Sequence, residues 1–481
     1  MSQPSLSTPP VPVLAGSQRG AVPRHRALTL PERMAAPRIG VVFLGRKRPG
    51  FDQEWGRQME AKVRACLSRQ GSLVFEPGEK AVDDASLRAA LAECRDHQVE
   101  ALLLVQATMG DARLAPTLAQ LWPGAPILWA TPENPQGDMI SSCSLVGTHC
   151  WASVLRQMGH RFALLVGDPE SPSTQTNLAA AVRVTATAHR LKSVRIGLIG
   201  AQSPGYFAMH ADPFTVHRGV GAQIQEFSLL EFSNAANAVA EAEIAEDVAR
   251  VRALGLAHKD TSDADLPMAS RLYLAMQSFL RNEALDVMAI RCWPELPNTF
   301  GQWPYLGIAR LIDEGWPVAC EGDADGALTT WIASSLGLGL GYLTDWLEQD
   351  GETITFWHGG CAPVQLCQPA GAPGAPVIAR HFNIKKPAVL EATLRQDMPV
   401  TVARFWRCDG HYWLTAREGQ SIRPRRRLMG TNALVHLPGE NPESWFRQLC
   451  YAGMPHHVVL FAGHHTACLR ELARLLEMRW I

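Results

Sequence analysis

Four short pieces in the second half of the chain place ionisable side chains at the ends of apolar runs. They are 319–323 (Ala-Cys-Glu-Gly-Asp), 342–346 (Tyr-Leu-Thr-Asp-Trp), 356–363 (Phe-Trp-His-Gly-Gly-Cys-Ala-Pro) and 462–466 (Ala-Gly-His-His-Thr). Glu321, Asp345 and one or two of His358, His464 and His465, with few thiolates, suit a hard or borderline divalent ion such as manganese. The two carboxylates could also serve as general base and acid for moving a proton between adjacent carbons. Each residue has a plainer reading. A carboxylate at a strand end more often caps a helix or pairs with a cation, and a lone histidine is more often a hydrogen-bonded structural one. In open α/β sheets ligands gather at the C-terminal ends of strands, so all four pieces fit one cleft.

The elements that must position them follow from hydrophobic periodicity. Apolar runs at 39–44, 72–75, 101–105, 127–130 and 162–166 alternate with amphipathic helical stretches at 53–67, 84–97, 111–122 and 148–159. Short continuous apolar runs between helices predict a parallel sheet covered on both faces. The grammar repeats with strands at 195–200, 284–291 and 317–320 and helices at 174–191, 235–254, 264–282 and 324–337. After 353 the runs 353–357, 377–382, 400–407 and 411–416 follow one another with few helices between, before a strand at 458–461 and a helix at 466–478. The expected fold is therefore two doubly wound α/β domains followed by a β-rich, antiparallel barrel-like C-terminal domain. The boundaries read as a leader over 1–36, an N-terminal α/β domain over 37–172, a central α/β domain over 173–352 carrying Glu321 and Asp345, and a β-rich domain over 353–481. The leader is rich in Pro, Ser, Ala and Arg without periodicity, which predicts disorder and makes Met34 a candidate start. The glycine-rich run from Gly337 has no strand before it and no helix after it, so it reads as a helix terminator and turn rather than a nucleotide loop.

Composition removes several function classes. Lys plus Arg (45) balance Asp plus Glu (46), where a nucleic-acid or anionic-membrane protein would show a basic excess. No run is apolar enough to span a bilayer, and the N-terminus lacks the apolar core of a signal peptide. The eleven cysteines include no CxxC pair; Cys143, Cys150, Cys361 and Cys367 come nearest a cluster, at spacings that fit no structural zinc site. An odd count without a secretory signal reads as reduced thiols in a cytoplasm.

The order Glu-Gly-Asp after a strand, then Asp-Trp, then Trp-His-Gly-Gly-Cys-Ala-Pro resembles the metal-site sequence of the L-fucose and L-arabinose isomerase superfamily, and the terminal Ala-Gly-His-His-Thr resembles the piece that closes arabinose isomerases. The resemblance runs from about residue 37 to the end. It implies a metal-dependent aldose–ketose isomerase acting through a cis-enediolate and assembled as a homo-oligomer, a trimer or hexamer. Glu321 and Asp345 then bind manganese and shuttle the proton, one of His464 and His465 is the last ligand, and His358, beside Trp357, binds metal or substrate. The arabinose branch has Glu where this chain has Asp345, and the fucose branch is substantially longer, so the sugar stays open. Glu133 and His149 are weaker candidates from the first domain. Arg425 and Arg427 belong to the densest basic run (423–427) and would bind the oxygens of an anionic sugar, a sulfonate or phosphate; the plainer reading is a solvated loop face. A non-catalytic sugar-binding protein with two α/β domains is the rival reading, and a lyase or epimerase using the same enediolate is the third.

Overall fold

The computed structural model describes residues 36–47, 50–137 and 139–481. Almost all of the 1–36 leader, Met34 included, lies outside these residues. Three sheets organise the rest. The first is parallel, in the order Val74–Phe75, Ile39–Phe43, Ala101–Gln106, Ile127–Ala130, Ala163–Val166. Its central strands are buried along their whole length, as continuous apolar runs require when helices cover both faces. Asp52 and Asp83 open its helices Gln53–Ser68 and Asp84–Asp96 by accepting backbone N–H groups that would otherwise lack partners.

The second sheet is also parallel, in the order Val318–Ala319, Val287–Ile290, Arg195–Ile199, Gln223–Phe227. Gln223–Phe227 was not evident as a strand, because its alternating polar residues mark a half-exposed edge rather than an apolar run. The third sheet closes on itself. Tyr342–Asp350, Thr353–His358, Thr431–His436, His411–Ile422, Pro399–Cys408 and His457–Ala462 form an antiparallel ring, sealed by the pairing of Ser421 with Val435 and of Tyr342 with Leu460. Strands Val389–Thr393, Val377–Ala379 and Ala257–His258 extend it outward. The α/β architecture ending in an antiparallel barrel is thus as expected.

One assignment is corrected. Tyr342–Asp350 was read into the central α/β unit, yet it is a barrel strand paired on both sides, so Asp345 comes from the barrel while Glu321 comes from the parallel sheet. Helix Ala324–Ser335, buried on nearly every side, packs between the second sheet and the barrel and joins them into one core. That helix ends at Leu336, and Gly337 and Gly339 follow with φ of +74° and +91°, as a terminator and turn require. No helix among the described residues is long and apolar enough to cross a membrane.

Candidate active site

The chain delivers Glu321 by a sharp turn. Strand Val318–Ala319 ends, Glu321 and Gly322 both take left-handed backbone (φ +62° and +73°), and Asp323 caps helix Ala324–Ser335. A Cβ on Gly322 would lie 2.0 Å from the Ala201 carbonyl oxygen, so only glycine fits there. Left-handed geometry at a glutamate is strained, and it persists because the backbone is held on three sides. Ser203 N–H donates to the Glu321 carbonyl (2.9 Å), Gly322 N–H to that of Ile290 (3.0 Å), and Glu321 N–H faces the Cys292 thiol (3.4 Å). The side chain is thereby thrown forward over the end of the sheet.

Asp345 arrives from the barrel. In the register it stands opposite Trp357 on one neighbouring strand and His457 on the other. His457 is fully buried and its Nδ1–H donates to Asp323 (2.8 Å). Asp323 in turn caps the helix through Gly326 N–H and holds the buried Arg404 guanidinium with both oxygens. Burial would raise its pKa, but the Arg404 charge and the His457 hydrogen bond hold that carboxyl far below the ordinary carboxylate range. With Nδ1 held by Asp323, His457 turns Nε2 toward Glu321 Oε2 (3.4 Å) and Asp345 Oδ1 (3.5 Å).

These three atoms are buried and have no hydrogen-bond partner among the described residues. Two carboxylate oxygens and an imidazole nitrogen facing one another are satisfied by a proton on Nε2 or by a cation at their meeting point, and a metal ion takes the place of that proton when it binds. His457 Nε2 stands about 3.5 Å from each carboxylate oxygen, the spacing of donors around a shared ion at roughly 2.1 Å from each. His456 stands beside them, its Nε2 3.4 Å from Glu321 Oε2 and 3.6 Å from Asp345 Oδ1, with its ring against Tyr206. Glu321 with His456 and His457, and Asp345 with His358 and His457, each bring ligand atoms close enough for a divalent ion with nitrogen and oxygen ligands. Burial would lift the Glu321 pKa, but the nearby His456, His457 and His358 imidazoles bring it down to about 2.

A cavity of about 400 Å³ opens from Glu321 and Asp345, walled by Tyr206, Trp293, Trp303, Tyr305, Trp357 and His358. Trp293 Nε1–H donates to Glu321 Oε1 (3.1 Å), which leaves Oε2 for the cluster. His358 is wedged between two thiols, Nε2 at 3.3 Å from Cys320 and Nδ1 at 3.4 Å from Cys361. An aromatic-walled cavity with carboxylates and a cation site at one end can hold a sugar by its rings and hydroxyls while a proton moves.

No family model matches the chain. Over 442 residues, 91% of this chain and 97% of theirs, it is 26% identical to the sulfoquinovose isomerases of Priestia aryabhattai and Priestia megaterium. Over 386 residues, 79% of this chain and 85% of the relative, it is 28% identical to the sulfoquinovose isomerase of Alkalicoccus urumqiensis. The chain is similar to sulfoquinovose isomerases.

The residues singled out from sequence divide clearly in the structure. Glu321, Asp345, Trp357 and His358 meet at the cavity. His464 and His465 do not: His464 Nε2 faces the Gly419 carbonyl (3.1 Å), and His465 Nε2 faces that of Ala462 (2.8 Å). The histidine pair at the cluster is His456–His457, the doublet that opens the same strand instead of closing it. Its signal was present, two adjacent histidines before an apolar run, but the rule that ligands collect at strand C-termini belongs to parallel sheets and fails for an antiparallel barrel. Arg425 pairs with Asp350 and Arg427 with Glu391, and neither lines the cavity. Glu133 is spent on closing its own loop, accepting from Ser141, Ser142 and Cys143, and His149 lies exposed on helix Ser144–Gln157. Tyr206, Trp293 and His381 also line the cavity and carried no sequence signal.

The two histidine pairs make opposite predictions. His457→Asn should lose about 100-fold or more in activity and bound metal, whereas His464→Asn should stay within a few-fold of the parent. Metal content by mass spectrometry and turnover of both variants check this; the reverse ranking would restore the terminal pair.

Proposed function

We propose that the chain is an aldose–ketose isomerase acting on an anionic sulfo-sugar, with a divalent ion, manganese by its ligand set, held by Glu321, Asp345 and His457 beside His456. The observation that carries the reading is that buried Glu321 and Asp345 oxygens beside an aromatic-walled cavity both face His457 Nε2, with no hydrogen-bond partner among the described residues. Full-length similarity to sulfoquinovose isomerases supports the substrate class. Sulfoquinovose is an aldohexose with a sulfonate on C6.

The residues divide the work by position. The Trp293 hydrogen bond and the left-handed backbone fix Glu321 so that one oxygen points to the cluster. Asp345 faces the same point from the barrel, so the two carboxylates can take a proton from one sugar carbon and return it to the next while the hydroxyl proton passes from O2 to O1. Asp323 and Arg404 hold His457 in the tautomer that leaves Nε2 free. The indole and phenol walls exclude water from the carbanionic sugar between the two transfers. When bound, the divalent ion supplies positive charge that lowers the cost of the developing oxyanion.

Incubating the protein with sulfoquinovose and following the sugar by NMR tests the reaction; the corresponding 2-ketose is the expected product. Dialysis against excess EDTA should abolish that conversion and manganese should restore it, a loss and recovery of at least about 100-fold. Full turnover in EDTA would sink the metal reading. Tight sugar binding without a ketose would favour the non-catalytic alternative.

A further inference from the structure

Among the described residues, none that lines the cavity is Arg or Lys, yet a sulfonate needs hydrogen-bond donors and a countercharge. The run 423–427 cannot supply it, since Arg425, Arg426 and Arg427 are matched by Asp350, Glu348 and Glu391. A second basic segment has the opposite character. Residues 380–386 read Arg-His-Phe-Asn-Ile-Lys-Lys, and His381, Phe382, Asn383 and Ile384 line the cavity. The turn is pinned at its base, His381 N–H donating to the Lys386 carbonyl (2.9 Å) and Arg380 reaching the carbonyls of Lys385 and Asp260. Lys386 donates to the Pro297 carbonyl, and Lys385 to that of Phe382 (2.7 Å). Three cations thus sit on one cavity-lining turn with backbone oxygens and the Met429 sulfur as their partners and, among the described residues, no carboxylate.

His381 gives the turn a directed donor. Asn383 N–H donates to its Nδ1 (3.3 Å), which places the proton of the neutral ring on Nε2. That atom faces Gly359, another wall residue, 3.0 Å from where a Cβ would stand, so the glycine keeps the space in front of it open. The ring is stacked on Trp303 (4.0 Å between centroids) and cannot turn away freely. Burial lowers its pKa to about 4, which keeps it a neutral donor at physiological pH. Along the wall, Tyr305 lies between His381 and His358, and His358 neighbours His457. A chain of ring contacts from His381 through Tyr305 and His358 to His457 therefore separates the turn from the cluster along the cavity wall.

We infer that the 380–386 turn is the sulfonate-binding element, with His381 Nε2–H donating to a sulfonate oxygen and the Lys385 ammonium swinging from the Phe382 carbonyl to supply the countercharge. The inference rests on the sulfo-sugar reading above and assigns its anionic group to named residues.

Lys385→Gln keeps the length of the side chain and removes its charge. It should raise KM for sulfoquinovose on the order of 10-fold with kcat within about 2-fold, and leave KM (or Ki) for glucose unchanged. Raising ionic strength from about 0.05 to 0.5 M should weaken sulfoquinovose binding in the parent and much less in the variant, because only the parent has the charge to screen. His381→Gln, a second variant that retains a donor at altered reach, should shift the same ratio in the same direction, and it serves if Lys385→Gln fails to fold. Equal changes for both sugars, or none, overturn the assignment. If the parent leaves sulfoquinovose untouched but turns over glucose 6-phosphate in a Lys385-dependent way, the sulfonate is lost from the function while the turn remains the anion site. A parent inert to both sugars overturns both readings.

Discussion

Glu321→Gln is expected to lower kcat by about 10²–10⁴-fold while the protein keeps its fold and melting temperature. The substitution nearly preserves volume and keeps an oxygen for Trp293 Nε1–H, so packing and the hydrogen bond at Oε1 survive. It removes the charge that faces His456 and His457, and with it both the capacity to take a proton and one ligand of the cation. Backbone strain at the φ of +62° is the same for either residue, so no stability change arises from that source. Steady-state turnover, circular dichroism and metal stoichiometry together check this. A variant within a few-fold of the parent would make Glu321 a structural residue of the strand–helix turn.

Asp323→Asn should act on stability and site together. The amide still accepts from Gly326 N–H, so the helix cap is kept. What it loses is the charge opposite Arg404, whose guanidinium is buried at 0% exposure and would stand uncompensated. Breaking a buried pair from one side costs about 3–5 kcal/mol. The amide can also present its NH₂ to His457 and impose the wrong tautomer, which should weaken metal binding by roughly 10–100-fold. Chemical denaturation and metal titration read the two effects. The pH dependence has a definite sign: the folded pKa of Asp323 is depressed, so its stabilisation is fully present above the unfolded value near 4 and is lost as pH falls toward the folded one. The variant should therefore lose this part of the acid sensitivity. A loss of less than about 1 kcal/mol would mean that water or another group satisfies Arg404.

The layers were legible from hydrophobic patterning. Continuous apolar runs between amphipathic helices can be buried only in parallel sheets, and strands that follow one another without helices must pair antiparallel, so the α/β-then-barrel order was legible. Glu321 was legible as well, because a parallel strand that ends in Glu-Gly-Asp before a helix must present that glutamate at the sheet's edge. Asp345 was legible as a residue but not as a barrel one, since nothing local marks which sheet Tyr342–Asp350 joins. Only tertiary structure decided the histidines. Tyr342–Asp350 and His457–Ala462 run antiparallel in a register that sets Asp345 against the first residue of the partner strand, and one residue of slip would have turned His457 to the other face. Charge followed the same logic. The basic run at 423–427 and the turn at 380–386 look alike as strings of letters, and only the folded chain brings carboxylates to the first and a cavity to the second.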